Sequence, residues 1–384
     1  MSIIYITSII VLYISFLFVK KSDKKLDLIS WIVINTVLLL CYNTIICYIY
    51  TTINIPINLY TLSIINYILG IAFILKLKKQ KQEYKFNRKD LIIVCIIAFI
   101  TVLFGYLNFG FPIEIKYVTT DSGVHYNATN NFFQSESLLN KSGSEMMPGA
   151  YSNAGILLKV FSPYMEFVEL YKVFICFDIF MFFIASSLMY VALKKIVKSK
   201  YETIISTIVT IIYMLGYPLN VLLFGYFYLQ LGIIIFSTLV ILMEYFKDEI
   251  INSKYLILML FLLCLELFFS YYLFVPAVYG ALCLYYLMYF YKKNNKLINK
   301  EFIIYTLITL VMPCIIGFIY NILPGIQSLT DIKAVNIMGM EGYIYRNIYS
   351  NIILFLPFVI VYMTSKKKFD FDLLVLLMLV AYML

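Results

Sequence analysis

Charge is scarce in this sequence. Only 13% of its 384 residues are Asp, Glu, Lys or Arg, against about 25% in an ordinary soluble domain. Histidine and tryptophan occur once each, and the two arginines are Arg88 and Arg346. A single imidazole cannot build a histidine-rich metal centre. The seven cysteines (Cys41, Cys47, Cys95, Cys176, Cys264, Cys283 and Cys314) all fall inside apolar runs. With no CxxC pair and no Cys/His cluster, neither a zinc site nor a disulfide framework is implied. A convincing internal repeat and a low-complexity linker are also missing. The first residues, MSIIYITSIIVLYISFLFVKK, carry no basic residue ahead of the apolar run and no small-residue cleavage site. They are expected to form a retained first span rather than a removed signal peptide.

Apolar residues are abundant, at 63% hydrophobic with a mean hydropathy of +0.91. That much apolar surface cannot be hidden in a water-soluble core. A stretch of roughly 20 apolar residues crosses a bilayer, and such stretches recur along nearly the whole chain. An outer-membrane barrel would show short alternating segments instead. The expected fold class is therefore all-α, a polytopic transmembrane helix bundle of about 11–12 spans. The runs lie at about 3–19, 28–50, 58–76, 91–107, 170–193, 203–219, 221–243, 255–273, 274–291, 302–322, 348–365 and 373–384. The last is about 12 residues, too short to cross. It reads as a half-inserted helix or, in preference, as the edge of a fragment.

The net charge of +9 does not point to nucleic acid, because the lysines sit in short clusters between apolar runs. With the N-terminus outside, the segments KKSDKK, KLKKQKQEYKFNRK, KKIVKSK, the 247–254 turn, KKNNKLINK and KKK all face the cytoplasm. They hold all the basic residues except Lys116, Lys141, Lys159, Lys172, Lys333 and Arg346. This alternation follows the positive-inside rule and supports both the span count and the orientation. Three regions result: residues 1–90 with three spans and basic loops, 91–365 as the main transmembrane module, and 366–384 as a basic stretch with an incomplete last span. Heavy use of Ile, Lys, Asn and Tyr suggests an AT-rich genome and a bacterial origin, which would make the location the plasma membrane.

Two outer loops are long, at about 108–169 and 323–347. Connections between helices commonly need only 2–8 residues, and longer ones are usually functional or disordered. The first loop contains TTDSGVHYNATNNFFQSES, with the lone His125 four residues after Asp121. Asp121 is a good helix N-cap, and a helix over 122–139 would place His125 one turn above it. KSGSEMMPGAYSNAG then breaks the helix, and a second apolar piece, ILLKVFSPYMEFVEL, follows. Two amphipathic juxtamembrane helices resting on the outer leaflet are expected.

Acids inside spans mark function by default. Asp178 and Glu266 both fall in the outer half, on the side of the long loops, whereas Glu244 lies near a cytoplasmic end and is expected to snorkel. The second loop adds Asp331, Lys333, Glu341 and Arg346. Arginine stays charged and binds phosphate bidentately. Each of these residues also has a plain structural reading. Asp121 could be only a cap, His125 a loop histidine bonded to backbone, Asp178 and Glu266 interhelical glue, and Arg346 an interfacial anchor.

The pattern resembles the GT-C superfamily of integral membrane glycosyltransferases. The resemblance rests on TTDSGVHYNATNNFF with Asp121 in the acidic position, on the proline-bearing EMMPGAYSNAGILL, and on GYPLNVLLFGYFYLQLGIIIF, and it covers roughly 91–365. It implies transfer of a sugar from a polyprenyl-phosphate carrier to a cell-envelope acceptor on the extracytoplasmic side. Asp121 would then be the catalytic base and His125 a proton-relaying or acceptor-orienting group. Arg346 and Lys333 would bind phosphate, with Asp178 and Glu266 contributing to the substrate site. The partners implied are membrane lipid and a polyprenyl-phosphate-linked sugar, with no nucleic acid. No cofactor is required, though a divalent metal at Asp121 is compatible with the chemistry. The alternatives are a polysaccharide polymerase or ligase, and a non-enzymatic transporter or flippase.

The topology makes a direct prediction. In a cysteine-free background, a cysteine replacing Asp121 should be labelled in intact cells by a membrane-impermeant maleimide. Labelling only after the membrane is opened would invert the assignment.

Overall fold

The structure is a computed structural model that describes residues 1–17, 26–77, 83–138, 148–197, 199–247, 253–296 and 298–322. The 323–347 loop with Lys333 and Arg346, and the runs expected at 348–365 and 373–384, lie outside the described residues. The fold is an all-α polytopic bundle. In chain order its helices are α1 (Ser2–Phe16), α2 (Leu28–Thr52), α3 (Leu59–Leu77), α4 (Arg88–Phe109), α5 (Asp121–Ser135), α6 (Ser152–Phe161), α7 (Tyr171–Ile196), α8 (Glu202–Leu215), α9 (Tyr217–Phe224), α10 (Phe227–Lys247), α11 (Ser253–Tyr271), α12 (Val275–Asn294), α13 (Lys300–Thr306) and α14 (Met312–Gly317). Among the described residues eight segments are long and apolar enough to cross a membrane, which makes this a multi-pass membrane protein; Ser2–Phe16 and Val278–Tyr291 are shorter apolar helices. Strand among the described residues is limited to one parallel pairing of β1 (Leu26–Asp27) with β2 (Tyr84–Lys85).

Local chemistry sets several boundaries. Asp27 caps α2, its carboxylate accepting from Ser30 N at 2.9 Å. Asn87 caps α4 and Asn299 caps α13 in the same way, each satisfying a donor that the first helical turn leaves free. Pro218 lies at the start of α9. It has no N–H to continue the α8 ladder, so the run expected to end near 219 is a broken helix, α8–α9, reaching Phe224. The next span consequently starts at Phe227 rather than near 221. Gly225 makes that turn with φ +71°, a left-handed conformation that glycine adopts without steric cost. Pro313 similarly interrupts the last described span, where π-helical turns occupy Leu307–Val311 and Phe318–Ile322.

Helix ends sort into two faces. At one face β1 pairs with β2, bringing the α1–α2 and α3–α4 connections together. At the same face Lys194 of α7 meets Asp90 of α4 at 2.5 Å, and Lys195 lies over the Tyr245 ring at the end of α10. At the other face Ser2 donates to Val160 O, Leu138 N to Thr51 Oγ1, and Ile57 N to Glu136 O. The lysine-rich connections and the long first loop therefore occupy opposite ends of the bundle. Glu244, expected to snorkel, is instead buried at the lysine-rich end.

The centre is formed by α2, α7, α10 and α11. Their spans are 67%, 78%, 83% and 67% buried within the protein, against 22% for α4 and 28% for α3. The single tryptophan, Trp31, is fully enclosed in this core. The first long loop is built into the bundle more deeply than a leaflet-resting helix pair would be. Helix α5 is amphipathic, but eight of the ten residues of α6 are buried. The preceding 3-10 turn, Pro148–Tyr151, is buried throughout. A side chain at Gly149 would bring its Cβ to 2.8 Å from Phe269 O, so only glycine lets this turn approach α11 so closely.

Gly149→Ala should destabilise the detergent-solubilised protein by about 1–3 kcal/mol, the usual cost of overpacking, measured as a lowered unfolding midpoint. Gly123→Ala, on an open face of α5 with no atom near its would-be Cβ, is the control and should leave the midpoint unchanged or raise it.

Candidate functional site

The site is built on the turn between α9 and α10. Val118 N donates to Leu223 O at 2.9 Å, and Thr119 Oγ1 donates to Phe224 O at 2.5 Å. These bonds seat the 117–120 segment on the end of α9. Gly225 leaves room for it, since a Cβ there would lie 2.7 Å from Ser122 Cβ. Helix α5 then starts directly above the turn.

Asp121 occupies the first position of α5, while Thr120 is the cap residue and makes no side-chain cap bond. The capping role expected of Asp121 is thus not realised, and its carboxylate has no hydrogen-bond or ion-pair partner among the described residues. Its helix-start position gives it a favourable field from the helix dipole. Partial burial nevertheless shifts its carboxyl upward from the ordinary aspartate value.

His125 follows one turn later and is only 4% exposed. Its Nδ1 shares a hydrogen bond of 2.9 Å with the Tyr151 hydroxyl, and its ring meets Tyr228 edge-on at 4.6 Å between centroids. Phe227 lies beside the same ring. Nε2 is buried with no hydrogen-bond partner among the described residues. Burial in this aromatic pocket lowers the imidazole to about 4, so it is neutral at pH 7.

Asp178, on α7, is buried beneath the same turn. Tyr117 OH donates to its Oδ2 at 3.1 Å. With the Gln230 amide oriented by its surroundings, its nitrogen donates to Asp178 Oδ1 at 3.1 Å and its oxygen accepts from Phe182 N at 2.7 Å. Both carboxylate oxygens are therefore engaged, and they tie the loop, α7 and α10 together.

Glu266, on α11, anchors a second polar group. Its Oε1 accepts from Thr44 Oγ1 at 3.0 Å and from Ser270 Oγ at 2.6 Å, while Oε2 is buried without a partner among the described residues. Thr44 also meets Ser152 Oγ at 2.7 Å. Asn153 Nδ2 donates to Leu40 O at 3.1 Å, and Asn43 Nδ2 donates to Asn153 Oδ1 at 3.0 Å. This network joins α2, the start of α6 and α11. It connects to the first group through adjacent residues, because Tyr151 bonds His125 and Ser152 bonds Thr44.

The structure thus brings Asp121, His125 and Asp178 around one turn, with Glu266 linked to them through residues 151–152. Lys333 and Arg346 lie outside the described residues. Sequence reasoning missed Tyr117, Tyr151, Gln230, Thr44, Ser152, Asn153 and Ser270. Gln230 carried a usable signal as the one glutamine within an expected span. A polar amide in a membrane-spanning helix needs a partner there.

Lys159 also belongs to this end of the protein. It is buried on α6, donates to Phe133 O at 2.6 Å, and lies 3.8 Å from Glu136. The contact sets a cation at the C-terminal turn of α5, where the helix dipole favours it. Burial still lowers the lysine's proton affinity. Among the described residues no three of His, Cys, Asp and Glu gather where a metal ion could sit.

The buried imidazole predicts a pH dependence. Because its folded value lies below the unfolded value of about 6.5, the unfolded chain binds more protons between pH 6.5 and about 4. Stability contributed by neutral His125 is present above pH 6.5 and falls as the pH drops toward 4. The unfolding midpoint of His125→Gln should decline less over that window than that of the wild type. Parallel declines would refute a neutral buried imidazole.

Comparison with protein-family models, curated proteins and solved structures finds no match for the chain, so the chemistry of the site itself carries the functional reading.

Proposed function

We propose that the protein is an integral membrane glycosyltransferase. It takes a sugar from a polyprenyl-phosphate carrier and gives it to a cell-envelope acceptor at the extracytoplasmic face of a bacterial plasma membrane, with the N-terminus outside. The observation that supports this reading is the Asp121 carboxylate. Among the described residues it has no hydrogen-bond or ion-pair partner, it is only partly buried at the start of the loop helix, and it stands one turn from a neutral histidine in an aromatic pocket. A carboxylate that caps or cross-links would be engaged, as both oxygens of Asp178 are.

The chemistry follows from the compartment. Nucleotide sugars stay in the cytosol, so glycosylation outside needs a lipid-linked donor. Asp121 takes the proton from the acceptor hydroxyl as its oxygen attacks the anomeric carbon. The bond from that carbon to the phosphate oxygen breaks, and polyprenyl phosphate leaves with the electron pair. Burial raises the proton affinity of Asp121 and so brings it nearer to what a base working at neutral pH requires. The leaving group is already a phosphate and needs positive charge rather than a proton; Arg346 and Lys333 are the basic residues of the second outer loop suited to that role. Asp178 and Glu266 act in this reading by fixing the walls of the site.

The rival reading is transport. It draws on Glu266 Oε2, a buried carboxylate oxygen in a membrane-spanning helix with no partner among the described residues, since intramembrane acids often mark ion or substrate pathways. The two readings separate by mutation. Asp121→Asn in purified protein should lower transfer from a panel of polyprenyl-phosphate sugars by about 10²–10⁴-fold. Undiminished transfer would remove Asp121 as the base. Substrate flux in proteoliposomes that survives Asp121→Asn but is lost in Glu266→Gln would establish the transporter.

A further inference from the structure

Apolar side chains are exposed on two turns of the long-loop face, where the chain leaves and re-enters the membrane. The turn after α4 carries Phe111, Ile115 and Val118, and the turn before α7 carries Tyr164, Phe167 and Val168. Phe111 is 88% exposed and Val168 77% exposed. The two turns adjoin. Glu114 N donates to Phe109 O at 2.8 Å, closing the first turn, and Tyr171 OH donates to Ile113 O at 3.2 Å, tying it to the start of α7. Ile113, Tyr117 and Tyr171 pack against the core that holds Phe109, while Phe111, Ile115 and Val118 between them face outward.

Helix lengths set the depth of this patch. Helix α4 has 22 residues, about 33 Å at 1.5 Å per residue, against a hydrocarbon core of roughly 30 Å. With Arg88 and Lys89 at the lysine-rich end, Phe109 reaches the opposite hydrocarbon edge and Phe111 lies just past it. The apolar segment Phe167–Ile196 has 30 residues, about 45 Å, which matches a bilayer together with its headgroups. With Lys194 and Lys195 in its last turn, Phe167 and Val168 stand at the headgroup boundary of the other side. The patch also continues one face of α4, on which Phe99, Val102 and Tyr106 are exposed at helical spacing. Charge does not account for it. The 110–118 and 161–172 segments hold three glutamates and two lysines; Lys116 meets Glu114 at 2.9 Å, and Lys172 meets Glu169. No excess of positive charge draws anionic headgroups here.

We propose that these two turns form an interfacial anchor, seated in the phospholipid leaflet at the long-loop face with their apolar side chains at the boundary between headgroups and acyl chains. Apolar contact holds the anchor, so it needs no particular headgroup. It also sets the depth of the candidate site. Val118 and Val124, both exposed, stand three residues to either side of Asp121, which places that carboxylate at the membrane–water boundary. The anchor is required by neither glycosyl transfer nor transport, and its test needs no activity assay.

The full chain is reconstituted in phosphatidylcholine vesicles brominated at shallow or deep acyl positions, and tryptophan quenching is read. Trp31 is fully enclosed and serves as the internal baseline. Phe111→Trp and Val168→Trp each add an indole on the anchor, and Phe99→Trp adds one halfway along α4. The fluorescence added at 111 and 168 should be quenched more by shallow bromines than by deep ones and should be shielded from aqueous iodide. That added at 99 should show the opposite order of bromine depth. Mixing in phosphatidylglycerol or raising the salt should leave this pattern unchanged. Val124→Trp should share the shallow pattern, and should gain iodide quenching when combined with Phe111→Ser and Val168→Ser. Free iodide quenching at 111 and 168 without a bromine effect would put the turns in water and overturn the proposal. Shielding from both quenchers would also overturn it, because protein such as a second copy of the chain would then cover the patch. So would a bromine effect that appears only with anionic lipid.

Discussion

A polar group carried into hydrocarbon must find its partner inside the protein. That requirement organises the loop face of this molecule. The 110–170 connection could have crossed the membrane surface as a solvated strap. It enters the bundle because residues 148–153 arrive with matched chemistry: a glycine that fits against the α11 backbone, and Ser152 and Asn153, which bond α2 side chains and backbone. Glu266 is held by the same set through Thr44 and Ser270. The polar network thus anchors the loop within otherwise apolar surroundings.

The α9–α10 turn does comparable work for the other half of the site. Pro218 breaks the helix below it and Gly225 turns the chain above it. The turn presents two carbonyls, Leu223 O and Phe224 O, on which the 117–120 segment docks. The backbone groups freed by interrupting a membrane helix are satisfied by the loop, and in return the loop gains a fixed position. Asp178 reinforces the join from beneath. With that acid enclosed by Tyr117 and Gln230, Asp121 is left as the loop carboxylate without a partner among the described residues.

Hydropathy made the helices legible in the sequence, and the lysine clusters sorted their ends into two faces. Both signals are local and summed over many residues, so single exceptions do not disturb them. The pairings were not legible. Nothing near Tyr117 in sequence points to Asp178, 61 residues away, and Thr44 meets Glu266 across 222 residues. The capping role expected of Asp121 failed for a related reason. A good N-cap residue was present, but docking on α9 placed the helix start at Asp121 itself and left Thr120 before it. Depth in the bundle was equally hidden: α6 is amphipathic enough to lie on a membrane, yet Gly149 and Asn153 draw it inward.

In the proposed transfer reaction, the single histidine gains its meaning from this arrangement. One turn from Asp121, a charged imidazolium would attract the carboxylate and lower its proton affinity, making it a poorer base. The aromatic pocket of Tyr151, Phe227 and Tyr228 instead holds His125 neutral. Burial can then raise Asp121 without an opposing cation beside it. A neutral imidazole still offers a ring nitrogen that can donate or accept, so it can orient a hydroxyl without competing for the carboxylate as an ion. In the proposed transfer, the enclosure that costs His125 its charge is therefore what leaves Asp121 without a cation that would weaken it as a base.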